Sequence, residues 1–123
     1  MDILHYQKEF LNYLESKNWI DEPKNLYEPI DYILKLGGKR IRPVLTLMAA
    51  DIFSGDFKKA LPAALAVEVF HNFTLVHDDI MDAAPLRRGK ATVHEKWDTN
   101  TGILSGDAML ILAYQYFENY DPI

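Results

Sequence analysis

The chain has 123 residues, 49% hydrophobic and 25% charged, with 18 acidic against 13 basic side chains and a net charge of −5. That is the length of one domain, with enough apolar character for a core. The acidic balance argues against nucleic acid or an anionic membrane surface as the main partner. Cysteine is absent, which excludes a disulfide framework, thiolate zinc and thiol chemistry. The longest apolar runs, Leu61 to Val67 and Ala108 to Tyr114, are too short to cross a bilayer. The start, Met1-Asp2 followed by mixed polarity, is no signal peptide, so a cytoplasmic protein without membrane insertion is expected.

Helical periodicity dominates. Ile3, Tyr6, Phe10, Leu11, Tyr13 and Leu14 recur at spacings of three and four, which predicts an amphipathic helix from Ile3 to Trp19. A turn over residues 18–24 leads to a second helix, Leu26 to Leu36, with Pro29 in its first turn. Gly37-Gly38 ends it, because glycine takes the left-handed conformation cheaply. Pro43 suits the first turn of a third helix that runs to Phe53 and is broken by Ser54-Gly55. Asp56 is expected to cap a long fourth helix, Phe57 to Met81, which closes before Pro85.

Arg87-Arg88-Gly89-Lys90 is expected to be a basic loop. Thr92 with Glu95 three residues on predicts a capping box for a short helix, Val93 to Trp97. Thr99-Asn100-Thr101 should cap a last helix, Gly102 to about Asn119, apolar on nearly every face and so expected to be deeply buried. No alternating strand pattern is long enough to specify a strand, no repeat or low-complexity tract is present, and the expected fold class is all-α. The two last long helices carry more apolar surface than so few helices can cover. That predicts a homo-oligomer, a dimer in the simplest case, or a larger bundle.

The segment richest in chemistry is His77-Asp78-Asp79-Ile80-Met81-Asp82. It puts three acids at a helix C-terminus, where the macrodipole is negative and each is misplaced by ~0.3–1 kcal/mol. Asp78 and Asp82 also repel each other at i and i+4. Several local rules broken at one point indicate function. At about 100° per residue, Asp78 and Asp82 lie about 40° apart, and His71, seven residues before Asp78, returns to nearly the same face. Two carboxylates one turn apart favour a hard ion with oxygen ligands, Mg2+ over zinc. A solvated acidic helix end and general acid–base use of the pair stay open as alternatives.

All four arginines flank this cluster in sequence. Gly38-Lys39-Arg40-Ile41-Arg42 lies between one helix end and the next helix start, where backbone N–H groups favour an anion. Arg87-Arg88 follows the acids, and arginine pairs bidentately with phosphate oxygens. The plain alternatives are that Lys39 and Arg40 complement the preceding helix end and that Arg87 and Arg88 neutralise the aspartates. Taken together, a candidate metal site and four arginines indicate phosphate.

Gly-Gly-Lys-Arg-Ile-Arg-Pro at 37–43, His-Asp-Asp-Ile-Met-Asp at 77–82 and Arg-Arg-Gly at 87–89 resemble, in order and spacing, the N-terminal motifs of the trans-isoprenyl diphosphate synthase (polyprenyl synthetase) family. The resemblance implies the N-terminal part of the isoprenoid synthase helical bundle. It also implies head-to-tail condensation of isopentenyl diphosphate with an allylic diphosphate, with Mg2+ as cofactor. By the same resemblance, Asp78 and Asp82 ligate the metal, Asp79 supports them, and Arg87 touches the allylic diphosphate. Gly38, Lys39, Arg42, His71 and Arg88 hold isopentenyl diphosphate. Phe73 and Thr74, a turn before the first aspartate, bear on product length. Thr74 is small and shares the carboxylate face, whereas Phe73 is turned about 140° away, which favours a C15 to C20 product.

Family members are much longer and carry a second aspartate-rich motif, which Asp107 and Asp121 are not expected to supply. The 123 residues are thus expected to be a single all-α segment, an N-terminal fragment inactive alone. A non-catalytic subunit of a heteromeric prenyl synthase and a terpene cyclase are the alternative readings. The intact acid and arginine sets count against the first, and the basic site for a second diphosphate counts against the second.

Overall fold

The computed structural model describes residues 2–118 and residue 120, and among them helix dominates as expected. Helix α1, Ile3–Glu15, begins at Asp2, whose carboxylate accepts the His5 N–H at 3.0 Å. Tyr6, Phe10 and Leu14, each four residues apart, form its buried stripe. The helix stops short of Trp19, which is buried all the same and meets Tyr116 edge-on.

Helix α2, Lys24–Lys35, starts two residues before the expected position, directly after Pro23. Pro29 is therefore the sixth residue and not in the first turn. It leaves the Asn25 carbonyl without its i+4 donor, and the site is tolerated inside a core that also holds Ile30, Ile33 and Leu34. Gly37, at φ 92°, then turns the chain out of the helix. Helix α3, Ile41–Ser54, has Pro43 in its first turn and ends at Gly55, at φ 73°, whose N–H bonds the Asp51 carbonyl at 2.9 Å.

The expected long fourth helix is divided. Phe57–Ala60 forms a 3-10 turn, Asp56 makes no side-chain cap, and helix α4 runs over Leu61–Met81. Pro62 gives the reason: it has no N–H for the Lys58 carbonyl and its ring crowds that group, so the α-ladder begins only here. Past α4 the expected basic loop is a hairpin. Strands β1, Leu86–Arg87, and β2, Lys90–Ala91, pair antiparallel around Arg88 and Gly89, at φ 53° and 77°. Positive φ at both central residues is the backbone that matches strand twist in a two-residue turn.

Helix α5, Val93–Lys96, follows Thr92, but the capping box does not form. The Thr92 hydroxyl donates instead to the Ala84 carbonyl at 2.8 Å. Helix α6, Thr99–Gln115, is capped by Asp98, one residue before the expected group, through the Thr101 N–H at 2.7 Å. Its described course ends before Asn119, which lies outside the described residues.

Helix α4 runs through the middle of the packing, between α6 and α3, and also touches α1, α2 and α5. Deep burial of α6 on nearly every face is not observed. Only the face bearing Gly102, Ser105, Gly106, Met109 and Ala113 is buried. Leu104, Ile111 and Tyr114 remain 60%, 60% and 67% exposed. Among the described residues no helix is long and apolar enough to cross a membrane.

Candidate functional site

The site is organised by the two faces of α4. One face buries Leu65, Glu68, Val69, Asn72, Val76 and Asp79, spaced by three and four residues as a packed helix requires. The other carries His71, Thr74, Asp78 and, just past the helix, Asp82. The Asp82 N–H still bonds the Asp78 carbonyl at 2.9 Å, so the one-turn spacing of Asp78 and Asp82 persists through the helix end. Both are exposed, and among the described residues neither side chain has an ion-pair partner.

Asp79 is placed differently. It is 5% exposed, and its two carboxylate oxygens accept from Arg87, Oδ2 from Nε and Oδ1 from Nη2, each at 2.8 Å. That hydrogen bonding raises the Arg87 guanidinium further above its ordinary range, against a smaller opposing effect of burial. The plain expectation for Arg87, neutralisation of an aspartate, is what the structure holds, and the aspartate is Asp79.

Gly37, Gly38, Lys39, Arg42, His71 and Arg88 meet around a cavity of about 340 Å3 between the α2–α3 turn and α4. Arg42 Nη1 lies 3.3 Å from His71 Nε2. Burial is the first cause that lowers the His71 imidazole below its usual range, followed by Arg42; Glu68 opposes, and Arg88 and Arg87 add to the lowering. Arg88 reaches across from the hairpin turn and donates through Nη1 to the Gly37 carbonyl. Gly38, at φ 131°, adopts a backbone that favours glycine, and a Cβ there would lie 2.6 Å from Arg88 Nη1 and displace the guanidinium.

A second, more apolar cavity of about 510 Å3 opens between α4 and α6, lined by Val67, Phe70, Thr74, Ala113, Tyr114 and Phe117. Arg42 and His71 line both cavities. Thr74 faces the apolar space, while Phe73 does not: its ring lies 5.6 Å from Phe70 and 4.7 Å from His77.

Among the described residues no three histidines or acids cluster as a metal cage. The donor set fits magnesium nonetheless, because that ion keeps several waters and takes one or two carboxylates beside phosphate oxygens. Asp78 and Asp82 are open to solvent and available; Asp79 is not. Asp107, on the exposed side of α6, lies 3.8 Å from His77 Nε2, and Asp121 lies outside the described residues.

Arg40 departs from the other arginines. It is 6% exposed, at φ 56°, and spends its guanidinium on Glu68 Oε2 at 2.9 Å and the Leu34 carbonyl at 2.7 Å. The second of these bonds completes the end of α2, as the plain reading of Arg40 expects. Glu68 and Asn72, both buried, line the cationic cavity and were not among the expected site residues. Glu68 carried a signal: it is the one charge in an apolar run on the buried face of α4, where an acid requires a partner.

The polyprenyl synthetase family model matches residues 23–123, and the chain belongs to that family. It is 48% identical over 100 residues to a geranylgeranyl pyrophosphate synthase of Geoglobus acetivorans, covering 81% of this chain and 31% of that one. A geranylgeranyl diphosphate synthase of Methanosarcina mazei is 44% identical over 96 residues, covering 78% and 30%. A crystal structure of a geranylgeranyl pyrophosphate synthase superposes with a TM-score of 0.95 at 62% identity, covering 98% of this chain and 37% of that one. The chain thus spans about a third of the length of the curated relatives it matches.

Proposed function

We propose that these residues form the diphosphate-binding part of a trans-prenyltransferase that joins isopentenyl diphosphate to an allylic diphosphate. The observation that carries this reading is the junction at Arg42 and His71, where a cationic cavity adjoins an apolar one. A diphosphate head with a hydrocarbon tail requires both environments. The intact exposed pair Asp78 and Asp82 supports the same reading.

In this proposal Lys39, Arg42 and Arg88, with the Gly38 backbone and His71, hold isopentenyl diphosphate. Asp78 and Asp82 would hold magnesium beside the allylic diphosphate, with Arg87 next to it. Magnesium supplies positive charge that stabilises a departing pyrophosphate. Arg87 adds fixed charge at the same place, which favours ionisation of the allylic C–O bond and attack by the alkene. Thr74 on the wall of the apolar cavity, with Phe73 turned aside, supports a product of C15 to C20 length.

The 60% exposure of both Leu104 and Ile111 on α6 supports a dimer or larger assembly, and light scattering tests it. At about a third of the length of the curated relatives, the isolated 123 residues are expected to bind ligand without turnover. The direct test is calorimetry of inorganic pyrophosphate with and without Mg2+. Joint Asp78→Asn and Asp82→Asn substitution should remove the Mg2+-dependent part alone. Unchanged Mg2+-dependent binding in that variant overturns the reading.

A further inference from the structure

We propose that Asp79 is a positioning residue for the cationic cavity, acting through Arg87 to set the hairpin turn that delivers Arg88 to the Gly37-Gly38 turn. The functional consequence rests on the diphosphate reading above; the structural relay does not.

The chain of contacts is continuous. Both oxygens of the buried Asp79 carboxylate accept from Arg87, so a metal ion there would have to share an acid already paired bidentately and reach the inner face of α4. Arg87 is the last residue of β1 and Arg88 the first of the turn. With Arg88 and Gly89 both at positive φ, a two-residue turn has little freedom, and fixing Arg87 fixes where Arg88 starts. Arg88 then donates to the Gly37 carbonyl, with its guanidinium against Gly38 where a Cβ would displace it.

The far side of the hairpin is tied independently. The Ala91 carbonyl accepts from Tyr32 OH at 2.6 Å, and Thr92 bonds the Ala84 and Pro85 carbonyls. Among the described residues, Asp79 supplies the side-chain hydrogen bonds that hold β1. The Asp79 backbone separately accepts the Ala84 N–H at 2.9 Å, a bond that substitution of the side chain leaves in place. The middle acid of the cluster therefore serves the cavity at the other end of the arginine pair, while Asp78 and Asp82 face solvent.

Two readouts on the 123-residue chain test this. Asp79→Asn should shift the Gly37 and Gly38 amide resonances. It should also weaken Mg2+-free binding of inorganic pyrophosphate by about tenfold, the scale of one lost charge-assisted contact. Arg88→Ala should weaken it as much, and the double variant no further. The Mg2+-dependent increment should survive in Asp79→Asn. Unmoved glycine amides, or loss of the Mg2+-dependent increment with Mg2+-free affinity intact, overturns the proposal and makes Asp79 a metal ligand. Shifted amides in a chain that binds no pyrophosphate uphold the relay and overturn the diphosphate reading instead. If Asp79→Asn does not fold, Arg87→Gln, which keeps the acid, must move the same two amides, and its failure to do so is equally decisive.

Discussion

Arg40 and Glu68 form an ion pair, Nη1 to Oε2 at 2.9 Å, in which the side chains are only 4% and 5% exposed. Arg40 on the α2–α3 turn and Glu68 in mid-α4 thereby fasten the wall of the cationic cavity to the central helix. The attraction of such a pair is largely offset by the cost of desolvating it, but removing one partner leaves a buried charge alone. Glu68→Ala should therefore destabilise the chain by about 3–5 kcal/mol. Joint replacement by Arg40→Met and Glu68→Leu should recover most of that loss. Urea unfolding of the two variants is the measurement, and equal losses would refute the account.

At Asp78 and Asp82 the opposite sign is expected. Both carboxylates stand where the α4 dipole is negative, one turn apart and unpaired among the described residues. Asp78→Asn and Asp82→Asn should each stabilise the fold by about 0.3–1 kcal/mol, a rise of a few degrees in melting temperature. Melting curves in metal-free buffer check this, and a fall in either variant would show that these acids have a structural role.

What could be read in advance divides along the range of the interactions involved. Periodicity placed Tyr6, Phe10 and Leu14 in a helix because their neighbours three and four residues away carry the information. The pair Thr92 and Glu95 has the spacing of a capping box, yet the Thr92 hydroxyl goes to the Ala84 carbonyl, a contact made only once the hairpin has formed. The hairpin itself has two-residue strands, too short for any alternation to show. Asp78 and Asp82 were legible as a pair from the helical repeat alone. The burial of Asp79 was not, because its partner Arg87 lies beyond a turn whose direction local patterns do not specify.

Gly106 on α6 lies against the His77 ring of α4. A Cβ there would collide with the His77 ring, its Cδ2 at 2.7 Å and Nε2 closer still. Alanine is otherwise preferred to glycine in a helix by about 1 kcal/mol. Gly106→Ala should destabilise the chain by about 1–3 kcal/mol through overpacking. In a His77→Ala background the same change should stabilise it by up to about 1 kcal/mol. Chemical denaturation of the four proteins in this cycle supplies the test, and additivity of the two changes would contradict the close approach.

The His71 imidazole offers a test by pH. Burial and then Arg42 hold its folded-state pKa below the ordinary value of 6.5. Between the lowered pKa and 6.5 the unfolded chain binds more protons than the folded one, so stability rises with pH across that window and the gain is complete above it. His71→Gln should flatten the rise without changing the slope at higher pH, as urea unfolding at several pH values will show. A bound anion reverses the balance, because its charge favours the imidazolium and offsets Arg42. The His71 titration midpoint, followed by NMR, should therefore move up when inorganic pyrophosphate is added. A midpoint that stays in place would mean that pyrophosphate does not bind beside Arg42 and His71, and the cationic cavity would then need another ligand.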